Sequence, residues 1–345
     1  MTVSAQQLGN NGPIVSRLAL GAMTFGAETI EAEAHRQLDL FTERGGTFID
    51  TADVYSQGVS EEIIGRWGKQ RGGLSDLVIA TKGRFGPTPG SHGGSRRAIV
   101  RAVDDSRRRL QVDTIDVYYM HGWDRHTDIE ETVTTLGDLI QRGRIHHLAW
   151  SNVSGWQIQK IVLTARMLGV PVPVALQPQY NLLDRGIELE VLPSAVEAGL
   201  SLIPWSPLGG GWLTGKYTPD SRPEGTTRLG EDPGRGVEAY DRRNTETTYA
   251  VLGVVKDIAD RLGRPMSHVA LAWLLSRPGV ASLLVGARTV AQLETNLDAA
   301  GLELTAGDLD DLTRVSAPTF PAYPYEFLAE WSDMRIWGDL GCGFA

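Results

Sequence analysis

Cysteine is almost absent from this chain of 345 residues: there is one, Cys342, close to the C-terminus. A single thiol forms no intrachain disulfide and supplies no cysteine-rich zinc site, so we expect a reducing, cytoplasmic compartment. Long apolar runs are also missing, since the longest, such as residues 269–275, fall far short of the ~20 residues that cross a bilayer. The first twelve residues lack the basic stretch and apolar core of a signal peptide. We therefore expect no membrane association.

Basic charge is in deficit, with 33 Lys+Arg against 42 Asp+Glu and a formal net charge of −9. Proteins that hold nucleic acid by phosphate contacts need the opposite balance, so we expect no nucleic-acid partner. The chain contains neither a G-x-G-x-x-G dinucleotide motif nor a P-loop, and no pair of histidines has the spacing of a helical zinc site. The sequence therefore predicts neither a Rossmann-type nucleotide site nor a metal site.

Short apolar segments alternate regularly with helix-length amphipathic segments. Eight of the short segments have little polar alternation, which is typical of parallel strands buried on both faces: residues 18–21, 47–50, 77–81, 115–120, 147–151, 174–177, 201–204 and 282–285. Strict alternation with eight strands predicts a (β/α)₈ barrel, here a single domain over residues 1–345. A doubly wound sheet is the alternative fold.

Capping residues mark where the predicted helices begin. They are Ser60, Ser95, Asp128, Ser154, Gly186 and Thr289, and a further helix is expected near residues 246–262. Residues 208–245 are rich in Gly, Pro, Asp and Arg, which predicts a long loop over one barrel face. Residues 317–345 carry three prolines and predict an irregular tail over the C-terminal face. Loops of such length are usually functional or disordered.

Ionisable residues stand at the ends of the predicted strands, where barrels of this kind place their active sites. Asp50 ends the second strand and Tyr55 follows in its loop, while Lys82 and His121 follow the third and fourth strands. The reference pKa of tyrosine is about 10, and a nearby ammonium lowers the pKa of a phenol. Asp50 can keep Lys82 charged, and His121 can hydrogen-bond a substrate oxygen or pass a proton. This set predicts protonation of a carbonyl oxygen while a hydride reaches its carbon.

The segments that contain these residues resemble the aldo-keto reductase superfamily over nearly the whole chain. In order they are residues 20–26 (LGAMTFG), 48–55 (FIDTADVY), 80–82 (ATK), 120–124 (MHGWD), 151–152 (SN), 177–181 (QPQYN), 205–209 (WSPLG), 213–216 (LTGK) and 285–288 (VGAR). The resemblance implies a (β/α)₈ barrel that binds NAD(P)H in extended form. By resemblance Tyr55 is the general acid, Lys82 and Asp50 tune it, and His121 orients the carbonyl.

The resemblance also implies a cofactor site. Its expected residues are Met23 and Asp50; Ser151, Asn152 and Gln177 on the carboxamide; Trp205 stacked on the ring; Ser206, Pro207, Leu208, Gly209 and Lys216 at the pyrophosphate; and Gly286, Arg288, Gln292 and Asn296 at the adenosine end. Arg288 lies where a 2′-phosphate would sit, so NADPH is expected before NADH. Arg288 could instead only cap the helix that opens near Thr289.

Two functions follow as hypotheses. The first is an NADPH-dependent reductase of a small aldehyde or ketone. The second is a cofactor-binding regulatory subunit with little turnover, because residues 205–208 also resemble the β subunits of voltage-gated potassium channels. Those subunits have Asn at the position of His121 and Ser-Arg at that of Ser151 and Asn152, so the set found here favours the enzyme. Phe25 and Trp123 are candidate pocket walls, with core packing as the alternative.

Overall fold

The computed structural model describes residues 4–328 except 87, 88, 226, 233, 235 and 320. The expectations for Cys342 and for the tail beyond residue 328 lie outside this part of the chain.

Eight parallel strands form one sheet that closes on itself. The strands of the described chain are β1 (Ala5–Gln7), β2 (Ile14–Ser16), β3 (Leu18–Gly21), β4 (Phe48–Asp50), β5 (Val78–Gly83), β6 (Ile115–Met120), β7 (Ile145–Ser151), β8 (Ala175–Gln177), β9 (Ser201–Leu202) and β10 (Leu283–Val285). The sheet order is β10-β3-β4-β5-β6-β7-β8-β9. A bridge from Leu202 to Val280 and a bond from Leu284 N to Pro204 O (3.1 Å) join the two ends. All eight predicted strands are confirmed, and sequential order with closure excludes the doubly wound alternative.

Helices surround this barrel. In the described chain they are α1 (Glu31–Glu43), α2 (Val59–Arg71), α3 (Arg96–Leu110), α4 (Ile129–Gln141), α5 (Gly155–Met167), α6 (Val191–Glu197), α7 (Arg228–Glu231), α8 (Tyr240–Arg243), α9 (Glu246–Leu262), α10 (Met266–Leu275), α11 (Val290–Leu297) and α12 (Ala306–Val315). Ser95 and Thr289 cap α3 and α11 through their side chains, and Ser154 forms a capping box with Gln157. None of these helices combines the length and apolarity that a bilayer crossing requires.

Two predicted helix starts are wrong. Ser60 is not a cap but a buried residue inside α2, whose hydroxyl donates to Ala22 O and bonds Thr51 Oγ1, both at 2.8 Å. The helix begins at Val59, two residues earlier than a cap at Ser60 predicts, and follows Gly58, whose φ of 96° is readily available only to glycine. Gly186 opens only a short 3₁₀ turn, and α6 begins at Val191. The first helix therefore begins before the marked residue and the second begins five residues after it.

An antiparallel hairpin of β1 and β2, which the sequence did not predict, covers the N-terminal end of the barrel. Leu8 and Val15 are fully buried and belong to the same apolar cluster as Phe48 and Val117 inside the barrel. Its turn is fixed by a bond from Gly9 N to Ser201 Oγ (2.8 Å). Side chains therefore close the barrel floor, while the strand ends with the candidate residues lie at the opposite end.

Candidate active site

A cavity of about 740 Å³ lies at the C-terminal ends of the strands. Most of the sequence-predicted site residues line it: Met23, Asp50, Tyr55, His121, Ser151, Asn152, Gln177, Trp205, Ser206, Pro207, Leu208, Lys216, Gly286, Arg288, Gln292 and Asn296. Lys82 and Gly209 are buried and do not line it, and Gly210 and Gly211 line it next to Gly209. Sequence reasoning missed other lining residues, among them Thr24, Thr214, Arg228, Met266, Ser267 and Ala287.

Lys82 sits at the centre of a buried polar group. Its ammonium forms an ion pair with Asp50 and donates to Thr51 O (2.8 Å) and to the Tyr55 hydroxyl (3.4 Å). Gln177 Nε2 donates to the other carboxylate oxygen of Asp50 at 2.8 Å. The three ammonium hydrogens thus have three acceptors, one of which is the phenol. A buried ion pair with this many hydrogen bonds keeps its geometry, so the charge beside Tyr55 is fixed in place.

The pKa values of this group show which effect dominates. Burial lowers the pKa of Lys82, but Asp50 and Tyr55 outweigh it and hold that pKa above its usual range, so the lysine stays charged. Burial raises the pKa of Tyr55, and Lys82 opposes the rise without cancelling it. The expected lowering by Lys82 is therefore present, but the net shift is upward because desolvation is larger. The phenol is fully protonated at neutral pH.

His121 faces Tyr55 across the cavity end, with ring centroids 6.0 Å apart and nearly perpendicular. Burial, reinforced by Lys82 and Arg84, lowers the pKa of His121 to about 3. The imidazole is therefore neutral at pH 7 and carries one N–H. Of the two roles expected from sequence, donation of a hydrogen bond to a substrate oxygen fits this state, whereas delivery of a proton does not.

Asn152 connects three strand ends. Its side chain donates to His121 O (3.0 Å) and accepts from Trp205 Nε1 (3.1 Å). Its φ of 56° lies in the left-handed region, as does the φ of 53° at Ser206. Such conformations cost of order 1–3 kcal/mol in non-glycine residues and cluster at functional sites, with Asn the best tolerated. The two strained residues, Asn152 and Ser206, are both among those that the sequence analysis expected to bind the cofactor.

A glycine turn after β9 brings backbone close to charged side chains. A Cβ at Gly211 would lie 2.6 Å from Lys216 Nζ, and a Cβ at Gly210 would lie 2.5 Å from a carboxylate oxygen of Glu238. Both glycines have positive φ and line the cavity. Glu238 is buried, hydrogen-bonds Ser206 and pairs with Arg228 (3.0 Å). The predicted loop over residues 208–245 therefore folds back onto the cavity.

The guanidinium of Arg288 is held by carboxylates that the sequence did not connect with it. It makes two bonds to Glu231, at 3.0 and 2.7 Å, and lies 3.6 Å from Glu28. Thr289 supplies the side-chain cap of α11, so Arg288 is not that cap. The residue faces the cavity beside Gln292. Any anion bound there must compete with Glu231.

The two candidate pocket walls lie elsewhere. Phe25 is fully buried, and Trp123 packs edge-on against Trp156 with centroids 5.4 Å apart; neither lines the cavity. Phe85 instead stands 5.3 Å from the His121 ring and is 39% exposed. An aromatic surface thus adjoins the catalytic candidates. Among the described residues no cluster of three His, Cys, Asp or Glu side chains could hold a metal ion.

Comparison with known proteins gives a consistent family. The model of the aldo/keto reductase family matches residues 17–317. A protein of Arabidopsis thaliana named "Probable voltage-gated potassium channel subunit beta" is 36% identical over 302 residues, covering 85% of this chain and 90% of the relative. "Uncharacterized oxidoreductase YrpG" of Bacillus subtilis is 33% identical, covering 86% and 91%. "Aryl-alcohol dehydrogenase [NADP(+)]" of Phanerodontia chrysosporium is 31% identical, covering 93% and 88%.

Proposed function

The chain belongs to the aldo/keto reductase family, and we propose that it reduces an aldehyde or ketone to an alcohol with NADPH as the cofactor. The observation that carries the proposal is the contact of the buried Lys82 ammonium with both Asp50 and the Tyr55 hydroxyl, at the end of a large cavity. A plain structural core does not need a charged lysine behind a cavity-lining phenol. A proton donor for a carbonyl oxygen does.

The charged and polar groups that line the cavity support this choice of cofactor. Burial, with the charges of Arg288 and Arg228, lowers the pKa of Lys216. Three cationic side chains thus meet in one part of the cavity, where Arg288 also pairs with Glu231 and Arg228 with Glu238. Such convergence favours a multiply charged phosphate ligand. Ser151, Asn152 and Gln177 offer hydroxyl and amide groups at the other end, beside the Trp205 ring. When bound, a dihydronicotinamide supplies the hydride for the carbonyl carbon.

The protein's own groups then act on the carbonyl oxygen. Tyr55 delivers its proton to the oxygen as negative charge develops there, and Lys82 stabilises the phenolate that remains. The neutral imidazole of His121 donates its N–H to the same oxygen and orients the substrate. Asp50 keeps Lys82 charged throughout. Because these donors are fixed before the substrate arrives, they stabilise the transition state more than the ground state.

The substrate class we propose is an aromatic aldehyde. Phe85 places a half-exposed ring next to His121, where the group attached to a bound carbonyl would extend. One relative is named for aryl-alcohol dehydrogenation with NADP⁺. Flat aromatic substrates gain about 0.5–1.5 kcal/mol from edge or offset contacts with such a ring.

NADPH oxidation with matched aromatic and aliphatic aldehydes and ketones tests the function. We expect turnover, fastest with the aromatic aldehydes. A regulatory subunit is the second candidate, favoured by the similarity to the potassium-channel relative. Tight NADPH binding without turnover of any carbonyl would support that candidate and contradict the reductase.

Arg288 and Glu231 give a prediction on cofactor choice. We expect Arg288→Ala to weaken NADPH binding about tenfold or more and to leave NADH nearly unchanged, because a charged hydrogen bond to phosphate contributes about 1.5–3 kcal/mol. Glu231→Gln should strengthen NADPH binding several-fold, since the phosphate then displaces no carboxylate from Arg288. Dissociation constants for both cofactors check this. Equal losses for NADPH and NADH in Arg288→Ala would show that the residue is only structural.

A further inference from the structure

Two acidic residues, Asp53 and Glu61, lie behind the segment that carries Tyr55, and the proposed chemistry does not use them. Asp53 is 1% exposed and Glu61, from α2, is fully buried. Glu61 accepts from Thr81 Oγ1 (2.6 Å) and from Arg109 Nε (2.6 Å). Thr81 and Lys82 are neighbours on β5, so their side chains point to opposite faces of the strand. The acidic pair therefore lies on the far side of the strand that holds Lys82.

Asp53 and Tyr55 lie on the same loop after β4, which a backbone hydrogen bond joins to β5. The N–H of Asp53 donates to Lys82 O (3.0 Å), and Asp53 is two residues from the phenol. The N–H of Val54 is close enough to favour its ionised form, but neither carboxyl oxygen has a partner with hydrogen-bond geometry in the described chain. The groups that face it are Glu61 from α2, Arg109 from α3, Lys82 from β5 and Tyr118 from β6.

The charge balance of this cluster is unfavourable for two ionised acids. Arg109 is already bonded to Glu61, and Lys82 is already paired with Asp50. A second buried carboxylate without hydrogen bonds costs several kcal/mol when ionised, which a bound proton avoids.

We propose that the active form of the enzyme is the one in which Asp53 carries a proton, and that Asp53 acts as a positioning residue for Tyr55 through the electrostatic field it shares with Lys82, so that loss of this proton slows carbonyl reduction. The inference rests on the proposed reductase function. When Asp53 ionises, a negative charge appears behind Lys82, two residues from the phenol. That charge offsets part of the positive potential that the fixed Lys82 ammonium exerts on the phenol, so the phenol releases its proton less readily.

The titration range agrees with this geometry. Burial raises the pKa of Asp53 to about 7, Glu61 adds to the rise, and Arg109, the Val54 N–H and Lys82 oppose it. Tyr55 and Lys82 are shifted upward from already high values, and the pKa of His121 is about 3, so none of these three titrates near pH 7. A rate change near neutral pH that disappears when Asp53 can no longer ionise is therefore assigned to Asp53.

The first test is the pH profile of kcat for Asp53→Asn, which keeps the shape of a protonated aspartate and cannot ionise. In the parent we expect kcat to fall at least threefold between pH 6 and pH 9, and in Asp53→Asn we expect this fall to disappear. Glu61→Gln should move the fall to lower pH, because the neighbouring negative charge is removed. The control is Asp116→Asn, a partly buried aspartate at the other end of the barrel that bonds Ile79 N (2.9 Å). It should keep the parent profile.

A second measurement, the pH dependence of the unfolding temperature, detects the protonation of Asp53 without any substrate. Asp53 has a folded-state pKa above its unfolded value of about 3.9, so its contribution to stability is complete below pH 4 and is lost as pH rises to about 7. The difference in unfolding temperature between Asp53→Asn and the parent should therefore increase in favour of the variant from pH 5 to pH 7. Above pH 7 this difference should stay constant. Coinciding profiles for parent and Asp53→Asn, in kcat or in unfolding temperature, would overturn the inference. A parent that reduces no carbonyl would contradict the proposed function instead.

Discussion

Tyr55→Phe is expected to lower kcat for carbonyl reduction by about 10²–10⁴-fold, the usual contribution of a positioned general acid. The substitution removes the hydroxyl that accepts a hydrogen bond from Lys82 and would donate its proton in the cavity, and it keeps the ring that packs against His121. His121 cannot replace it, because a group with a pKa of about 3 carries no transferable excess proton at pH 7. Stopped-flow or steady-state NADPH oxidation with one aldehyde measures the loss.

The same variant should bind NADPH with nearly unchanged affinity, which quenching of tryptophan fluorescence can follow. Tyr249→Phe is a matched control, because that hydroxyl bonds Asn244 and does not line the cavity. We expect the control to keep parent kcat. Turnover by Tyr55→Phe within a few-fold of the parent would show that Tyr55 is not the acid. The protonation state of His121 would then have to be measured, because His121 would be the remaining candidate.

Lys82→Met should destabilise the protein by about 3–5 kcal/mol at neutral pH, as well as slow turnover strongly. It leaves the Asp50 carboxylate, which is 1% exposed, buried without its cation. Breaking one partner of a buried ion pair costs this much because the remaining charge stays desolvated. Chemical unfolding at pH 7 measures the change in the free energy of unfolding.

The double variant Asp50→Asn with Lys82→Met separates stability from catalysis. With both charges removed, most of the lost stability should return, whereas kcat should stay low because no ammonium remains beside the phenol. The deficit of the single variant should also shrink as pH falls, since a lone buried Asp50 has a raised pKa and takes up a proton. If the double variant is as unstable as the single one, the loss comes from packing around the methionine and not from the unpaired charge.

Local pattern and strand-end placement were enough to predict the barrel and the four catalytic candidates. The buried strands are short and mainly apolar. Asp50 and Lys82 lie at the ends of two of them, and His121 directly follows a third. Because all parallel strands of a barrel end on one face, the side chains at these ends lie close together, however many residues separate the strands in sequence. The direction of the pKa shift of Tyr55 could be determined only from the structure, because the sequence around Tyr55 does not show how deeply the phenol is buried.

Contacts over long sequence distances could not be predicted. Glu231 meets Arg288 across 57 residues through a loop of irregular backbone. Glu61 follows Ser60 at the start of a helix and has the pattern of a solvated first-turn acid, yet it is fully buried against Arg109. The hairpin of β1 and β2 has strands of only three residues, and β1 shows no alternation of apolar and polar residues. The turn between the two strands is therefore the one part of the hairpin that the sequence pattern could have indicated.

Closure of the ring between its first and last strands has a consequence for synthesis on the ribosome. Ser282 Oγ bonds Ser16 O across 266 residues, and β3 pairs with β10 along its length. At translation rates of about 5–20 residues per second, one edge of β3 waits roughly 10–50 s for its partner. An exposed strand edge of this kind is a template for pairing with other chains. The nascent protein is therefore most exposed to aggregation before residue 285 emerges, and slowing translation between residues 22 and 285 should lower the soluble yield more than an equal delay after residue 285.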